Sequence, residues 1–296
     1  MCGIVAYIGP SDALPVLLDG LRRLEYRGYD SAGLALLNPG GIEVRKAVGR
    51  IANLATEIEN FPIRGQAGIS HTRWATHGAV TRDNAHPHAD QSGKLHLVHN
   101  GVIENYQTLR EQLQERGHIF HSQTDTEVLA HLVGEAFDRS TSRDGTALIE
   151  AVRQALRQVI GTYGISVIHA EVTGLIVGAR RGSPLVLGIG KHEHFLASDV
   201  SAIVAHTREV VYLNDYEIVA IQAEGFEIST VSGTGADFQV SKVEFTAESV
   251  DKGKFPHYML KEIHEQPKVV QRTLEDRLAA DHVLIQAFGP QAAELF

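Results

Sequence analysis

The chain has 296 residues, 43% of them hydrophobic and 21% charged, with a formal net charge of −9. That length sets a prior of about two domains with ample core, and the acidic balance offers no electrostatic footprint for nucleic acid or an anionic membrane. No apolar run approaches the ~20 residues of a spanning helix, and the single cysteine, Cys2, excludes an internal disulfide, so the chain reads as cytoplasmic.

Residues 3–8 form a compact β-rich run bounded by glycine and predict a buried strand. Leu14, Leu17, Leu18, Leu21 and Leu24 then share one helical face, with Ser11 or Asp12 as cap and Pro15 tolerated in the first turn. Residues 32–48 read as a hairpin around the Asn-Pro-Gly-Gly stretch. A short helix over 51–58 follows, then strands around 67–71 and 95–99. Asn105 starts a helix that Gly117 ends. Thr124 and Glu127 stand in capping-box spacing at the head of the next helix, and a third covers 147–159.

From 164 to 231, short β-rich segments separated by Gly, Asn or Asp predict a mostly antiparallel sheet. The order of elements indicates an α/β or α+β layered domain. A polar, Gly-punctuated stretch from about 232 reads as a linker. A helix broken at Pro267 follows, carrying Leu260, Ile263, Val269, Val270, Leu274 and Leu278 with no evident partner. The chain ends soon after, as expected of a fragment whose second domain is absent.

Cys2 is the first chemical signal. If Met1 is removed, one residue carries a thiol with an ordinary pKa of ~8.5 and an α-amine at ~7.7–8.0. It then supplies a nucleophile and, directly or through a water, the base that activates it. The competing reading is a small buried hydrophobe at a strand start. The second signal is a run of six histidines, His71, His77, His86, His88, His96 and His99. A metal site fits them poorly: Pro87 interrupts the His86/His88 pair, no His-x-x-x-His pair falls on a predicted helix, and no thiolate is nearby. With no Walker-type phosphate loop either, neither metal nor cofactor is expected.

The segments CGIVAYIG, LEYRGYDSAG, HTRWATHG, NAHPH, VHNGVIEN and TDTEV stand in this order between Cys2 and Val128. They resemble the signatures of class II, N-terminal-nucleophile glutamine amidotransferases. More narrowly, they are similar to the glutaminase half of the hexosamine-forming enzymes that convert fructose 6-phosphate to glucosamine 6-phosphate. The likeness runs to about residue 222 and resumes at HYMLKEIHEQP, which resembles the first helix of the sugar-isomerase half. It implies an α+β fold, a four-layer αββα sandwich with stacked antiparallel sheets. The implied domains are an amidotransferase domain over 2–222, a linker over 223–255 and the start of a truncated isomerase half over 256–296.

The resemblance also implies roles. Cys2 attacks the glutamine amide to form a thioester, and Asn100 and Gly101 form the oxyanion hole. Arg27 supports the N-terminal residue. Arg73 binds the substrate carboxylate, Asp125 its ammonium, Thr76 and His77 line the pocket, and Trp74 sits on a covering loop. The implied partners are L-glutamine, the absent isomerase domain with its fructose 6-phosphate site and, at full length, a second copy in a homodimer; no nucleic acid or membrane is among them. Read without the resemblance, Asn100-Gly101 is a tight-turn signal, and Asp125 is an acid favoured in a helix's first turn. The alternative function is a catalytically silent module that binds glutamine or a partner domain with Met1 retained.

Overall fold

Strand β1 (Gly3–Ile8) is buried along its whole length. Its sequence shows no polar alternation because both faces meet apolar layers. Val5 and Tyr7 enter one core, Ile4, Ala6 and Ile8 another. The computed structural model describes residues 2–75, 78–244, 253–274, 277–278 and 282–285. By compactness the chain divides into Met1–Ala247 and Glu248–Phe296.

In the first unit, β1 is followed by α1 (Ala13–Leu24), β2 (Ser31–Asn38), β3 (Gly41–Val48), α2 (Ile51–Asn60), β4 (Ala67–Arg73), β5 (His88–Ala89) and β6 (Leu95–Ile103). Helices α3 (Tyr106–Glu115), α4 (Asp125–Asp138) and α5 (Gly145–Leu156) come next. The remaining strands are β7 (Gly161–His169), β8 (Ile176–Arg181), β9 (Val186–Ile189), β10 (His194–Ala197), β11 (Glu209–Tyr212), β12 (Glu217–Gln222), β13 (Gly225–Thr230) and β14 (Ser241–Lys242). They make an eight-stranded sheet in the order β14-β11-β9-β10-β1-β4-β2-β3 and a six-stranded sheet in the order β13-β12-β8-β7-β6-β5. Paired strands within both sheets run antiparallel.

Three apolar clusters define four layers. Leu17, Leu21 and Leu24 of α1 and Leu54 of α2 pack on the eight-stranded sheet. Val128, Leu132, Leu148 and Val152 of α4 and α5 pack on the six-stranded one. Ile4, Ile69, Val98, Ile168 and Leu196 fill the space between the sheets. This is the αββα sandwich the resemblance implied.

The caps show how local signals are spent. Asp12 accepts from the Leu14 N–H at 3.2 Å and starts α1. Thr124 accepts from the Glu127 N–H at 3.3 Å, but Glu127 does not complete a capping box. Its carboxylate accepts the N–H groups of His121 and Ser122 at 2.8 and 2.7 Å, tying down the loop before the helix. Asn105 precedes α3 without capping it; its amide bridges Gln158 and Ile160 instead. Thr124→Ala is expected to lower stability by about 1–2 kcal/mol through the lost cap, read as a drop in Tm with the circular dichroism spectrum unchanged.

Three expectations are corrected. The third helix begins earlier, at Gly145, because Asp144 accepts from the Ala147 N–H and caps it. The expected linker over 223–255 is not wholly linker: β13 pairs along β12, and Ile228 enters the inter-sheet core. In the second unit, α6 (Tyr258–Leu274) runs through Pro267. Proline removes one N–H from the ladder there, yet the turns on either side continue the helix. Its Leu260, Ile263, Val269, Val270 and Leu274 are exposed.

Candidate active site

The site forms at one end of the sandwich, where β1 begins, β4 and β6 end, and α4 starts. Register brings them together: Gly3 of β1 pairs with Thr72 of β4, so Cys2 stands beside the Arg73–Trp74 turn-off. A side chain at Gly3 would have its Cβ 2.8 Å from Leu24 Cβ and 2.9 Å from Thr72 Cγ2. Only glycine lets the strand start this close to α1. The period-2 alternation of β4 sends Ile69 into the inter-sheet space, and His71 shares that face. On β6, Val98 does the same, and Asn100 shares its face.

Cys2, Arg27, Trp74, Asn100, Gly101 and Asp125 line one cavity of about 350 Å³, together with His86, His99, Val102, Thr126, Ser183 and Pro184. The Cys2 sulfur accepts from the Trp74 N–H at 3.2 Å and donates to the Trp74 carbonyl at 3.5 Å. Burial pushes the thiol up from its ordinary value, against the opposing pull of the Trp74 backbone bond and the Arg73 charge. The thiol is therefore protonated at neutral pH and needs a base before it can attack.

Asn100 and Gly101 are not a hairpin turn. They lie inside β6, opposite Gly164 and Tyr163 of β7. The Asn100 Nδ2 donates to the Cys2 carbonyl at 3.3 Å. Gly101 adopts φ +136°, and a Cβ there would sit 2.1 Å from the Thr162 carbonyl oxygen. The strand thus makes its exception at Gly101, next to the asparagine whose amide reaches the Cys2 carbonyl. Asp125 is the first residue of α4, and its Oδ2 accepts from the Ile103 N–H at 2.8 Å. Position in a first turn and presence in the cavity both hold for it.

Arg73 is 3% exposed and does not line the cavity. Its NH1 donates to the Ala79 carbonyl at 3.2 Å. It still lies within electrostatic reach of Cys2, Asp30 and Asp125, although desolvation outweighs them and lowers its pKa. Trp74 is 47% exposed and sets its ring edge-on to Tyr29 at 6.1 Å, so it is not a core residue. Arg27 follows α1 in a short 3₁₀ turn and pairs with Asp199. Thr76 and His77 lie outside the described residues.

Sequence reasoning missed Asp199, which is 172 residues from Arg27 and sits in no motif. It also left the histidines without a role. Among the described residues no group of three or more His, Cys, Asp or Glu is set to hold a metal. The buried rings are instead tied to hydroxyls, an amide and carbonyls. His99 Nδ1 lies 3.0 Å from Thr126 Oγ1, and His88 Nε2 lies 3.1 Å from Thr124 Oγ1.

Comparison with known proteins gives a consistent set of relatives. The sequence profile of a glutamine amidotransferase domain family matches residues 38–230. Over 286 residues the chain is 49% identical to the isomerizing glutamine–fructose-6-phosphate aminotransferase of Thermus thermophilus, covering 97% of this chain and 46% of the relative. The Pseudomonas putida enzyme of the same name is 46% identical over 297 residues, 100% of this chain and 48% of the relative. The chain spans about half the length of these curated relatives. Among solved structures, the B. subtilis glutamine phosphoribosylpyrophosphate amidotransferase complexed with ADP and GMP matches with a TM-score of 0.65 at 27% identity, over 78% of this chain and 49% of that one. A glutamine aminotransferase class-II domain protein from Silicibacter pomeroyi, at TM-score 0.50 and 19% identity over 78% of this chain and 99% of that one, shares the fold alone.

Proposed function

Because the chain belongs to the glutamine amidotransferase domain family, we propose that its cavity hydrolyses L-glutamine to glutamate and ammonia, with Cys2 as the nucleophile once Met1 is removed. The observation that carries this reading is the meeting of Cys2, Asn100, Gly101 and Asp125 in one cavity. The freed α-amine takes the thiol proton, directly or through a water. The sulfur attacks the side-chain amide carbon, and the carbonyl oxygen gains negative charge. The Asn100 Nδ2 and the Gly101 N–H receive that charge. The amine returns the proton to the departing nitrogen, ammonia leaves, and a thioester remains. Water then attacks the thioester, releasing glutamate and restoring the thiol.

The zwitterionic end of the substrate needs one charge of each sign. Asp125 meets the ammonium from the cavity wall. Arg73 gives its guanidinium to the carboxylate in place of the Ala79 carbonyl, a bidentate match. Arg27, braced by Asp199, supports the amino-terminal residue, and Trp74 covers the opening.

In the whole protein, which we take to resemble the relatives of twice this length, the ammonia serves conversion of fructose 6-phosphate to glucosamine 6-phosphate by a sugar-isomerase half. The sandwich, β13 and β14 included, forms the glutaminase domain of that arrangement, and 256–296 begin the isomerase half. The full-length protein is cytoplasmic and homodimeric in this reading; no described helix is long and apolar enough to cross a membrane.

The test pairs intact mass with a glutaminase assay. A mass lacking Met1 together with glutamate release supports the mechanism; a retained Met1 with no hydrolysis leaves a binding module. Kinetics of two variants then separate the roles. Asn100→Ala should lower kcat about 10²–10³-fold with little change in KM, since its donor meets charge mainly in the transition state. Arg73→Ala should mainly raise KM, because the carboxylate is present throughout. Swapped signatures would reverse the assignments. Given glutamine and fructose 6-phosphate together, the 296-residue chain should release glutamate without forming amino sugar. Amino sugar at a comparable rate would show that the division of labour is misread.

A further inference from the structure

An asparagine carboxamide helps an oxyanion only if its NH₂ end faces the reacting atoms. The two ends are nearly isosteric, so the choice must come from their neighbours. Here it comes from His71. Its Nε2 lies 3.1 Å from the His99 carbonyl oxygen, which can only accept. Nε2 therefore carries a proton. The same nitrogen lies 2.9 Å from Asn100 Oδ1, so that end of the amide must be the acceptor. The opposite end lies 3.3 Å from the Cys2 carbonyl oxygen, again an acceptor. A flipped amide would set N–H against N–H at one end and oxygen against oxygen at the other.

The ring is itself held. It stacks on His86 with centroids 4.0 Å apart and planes 11° from parallel. Burial keeps it neutral, with its pKa lowered to about 3. Its Nδ1 is buried with no partner among the described residues, a place for a lone pair and not for a second proton. His86 is fixed in turn. Its Nδ1 accepts the His99 N–H at 3.3 Å, so its own proton sits on Nε2, facing Thr126 Oγ1 at 3.5 Å. His99 Nε2 donates to the Thr162 carbonyl at 3.2 Å, leaving its Nδ1 to accept from the Thr126 hydroxyl. The protons of His71 and His86 thus have consistent assignments, and burial keeps both rings neutral.

We infer that His71 is the positioning residue that turns the donor end of Asn100 toward the thiol, and that it does so through one hydrogen bond. The inference rests on the reading of Asn100 as an oxyanion donor. It gives the buried histidines a task that neither metal binding nor proton transfer supplies.

A double-mutant cycle tests it in the purified chain. His71→Leu fills the space without a donor and should lower kcat 10- to 100-fold while KM and the affinity for glutamate stay within twofold. His71→Gln, which keeps an N–H for Asn100 Oδ1, should recover most of the lost rate. In an Asn100→Ala background, His71→Leu should cost nothing further in kcat. Should His71→Leu fail to fold, His71→Asn, whose shorter amide does not span the contact, replaces it in the cycle. If Asn100→Ala alone leaves kcat intact, the reading of Asn100 falls and the inference with it. If Asn100→Ala slows the reaction but the His71 substitution costs the same factor in both backgrounds, or nothing in either, the inference is overturned and the reading stands.

Discussion

Cys2→Ala is expected to abolish glutamine hydrolysis and leave the fold intact. The sulfur's hydrogen bonds both go to the Trp74 main chain, which stays where β4 puts it whether or not the thiol is there. Among the described residues two hydroxyls share the cavity, those of Thr126 and Ser183. Thr126 is already engaged with His99 and lies beside His86. The Thr126 hydroxyl spends its proton on His99 Nδ1 within a buried network, and a hydroxyl is a weaker nucleophile than a thiol at neutral pH. Cys2→Ser should retain a trace of activity, far below the parent. Burial raises the thiol above its ordinary value, so it needs a base to take its proton before it can attack. In the parent protein, activity should rise with pH through the α-amine range of ~7.7–8.0, where that amine becomes unprotonated. One extra residue ahead of Cys2 should remove both the activity and this pH dependence. Glutamate release by the variants, with thermal melts alongside, checks the argument; near-parent turnover in Cys2→Ala would end it.

Gly101→Ala damages site and sheet together. At φ +136° an L-residue is strained, and the added Cβ would fall 2.1 Å from the Thr162 carbonyl oxygen and 2.9 Å from His99 Nε2. The first neighbour is backbone of the paired strand β7, so relief requires β6 and β7 to part. Backbone strain and overpacking together should cost about 2–6 kcal/mol of stability. The loss in kcat should exceed that of Asn100→Ala, because the shift moves the Gly101 N–H and the Asn100 amide at once. Thermal melts and steady-state kinetics on the same preparation give both numbers. A stable variant with parental kcat would show that Gly101 has no special backbone task.

The sequence was most legible where the cause is local. The leucines of α1, the Asp12 and Thr124 caps and the hairpin over β2 and β3 follow from spacing and turn chemistry. Local rules misled at Asn100-Gly101. The strongest turn signal in the chain is overridden there by nine residues of pairing between β6 and β7. The resemblance, not the local pattern, placed the linker too early: local signals carried strands to 231, and Ile228 of β13 is held by the inter-sheet core. The site divides the same way. Cys2 and the Asn-Gly pair announce themselves by type and position. Asp199's pairing with Arg27 and the contact of His71 with Asn100 are products of packing between distant segments, the second across the two sheets, and no window of sequence contains them.

Strand β1 lies in the interior of its sheet, between β4 and β10. The Ile4 N–H closes on Ser198 Oγ across 194 residues. On a ribosome adding ~5–20 residues per second, that partner does not exist until about 10–40 s after the amino terminus is made. For that interval one edge of β1 is open, and the sheet beside Cys2 closes only when most of the first unit has been made.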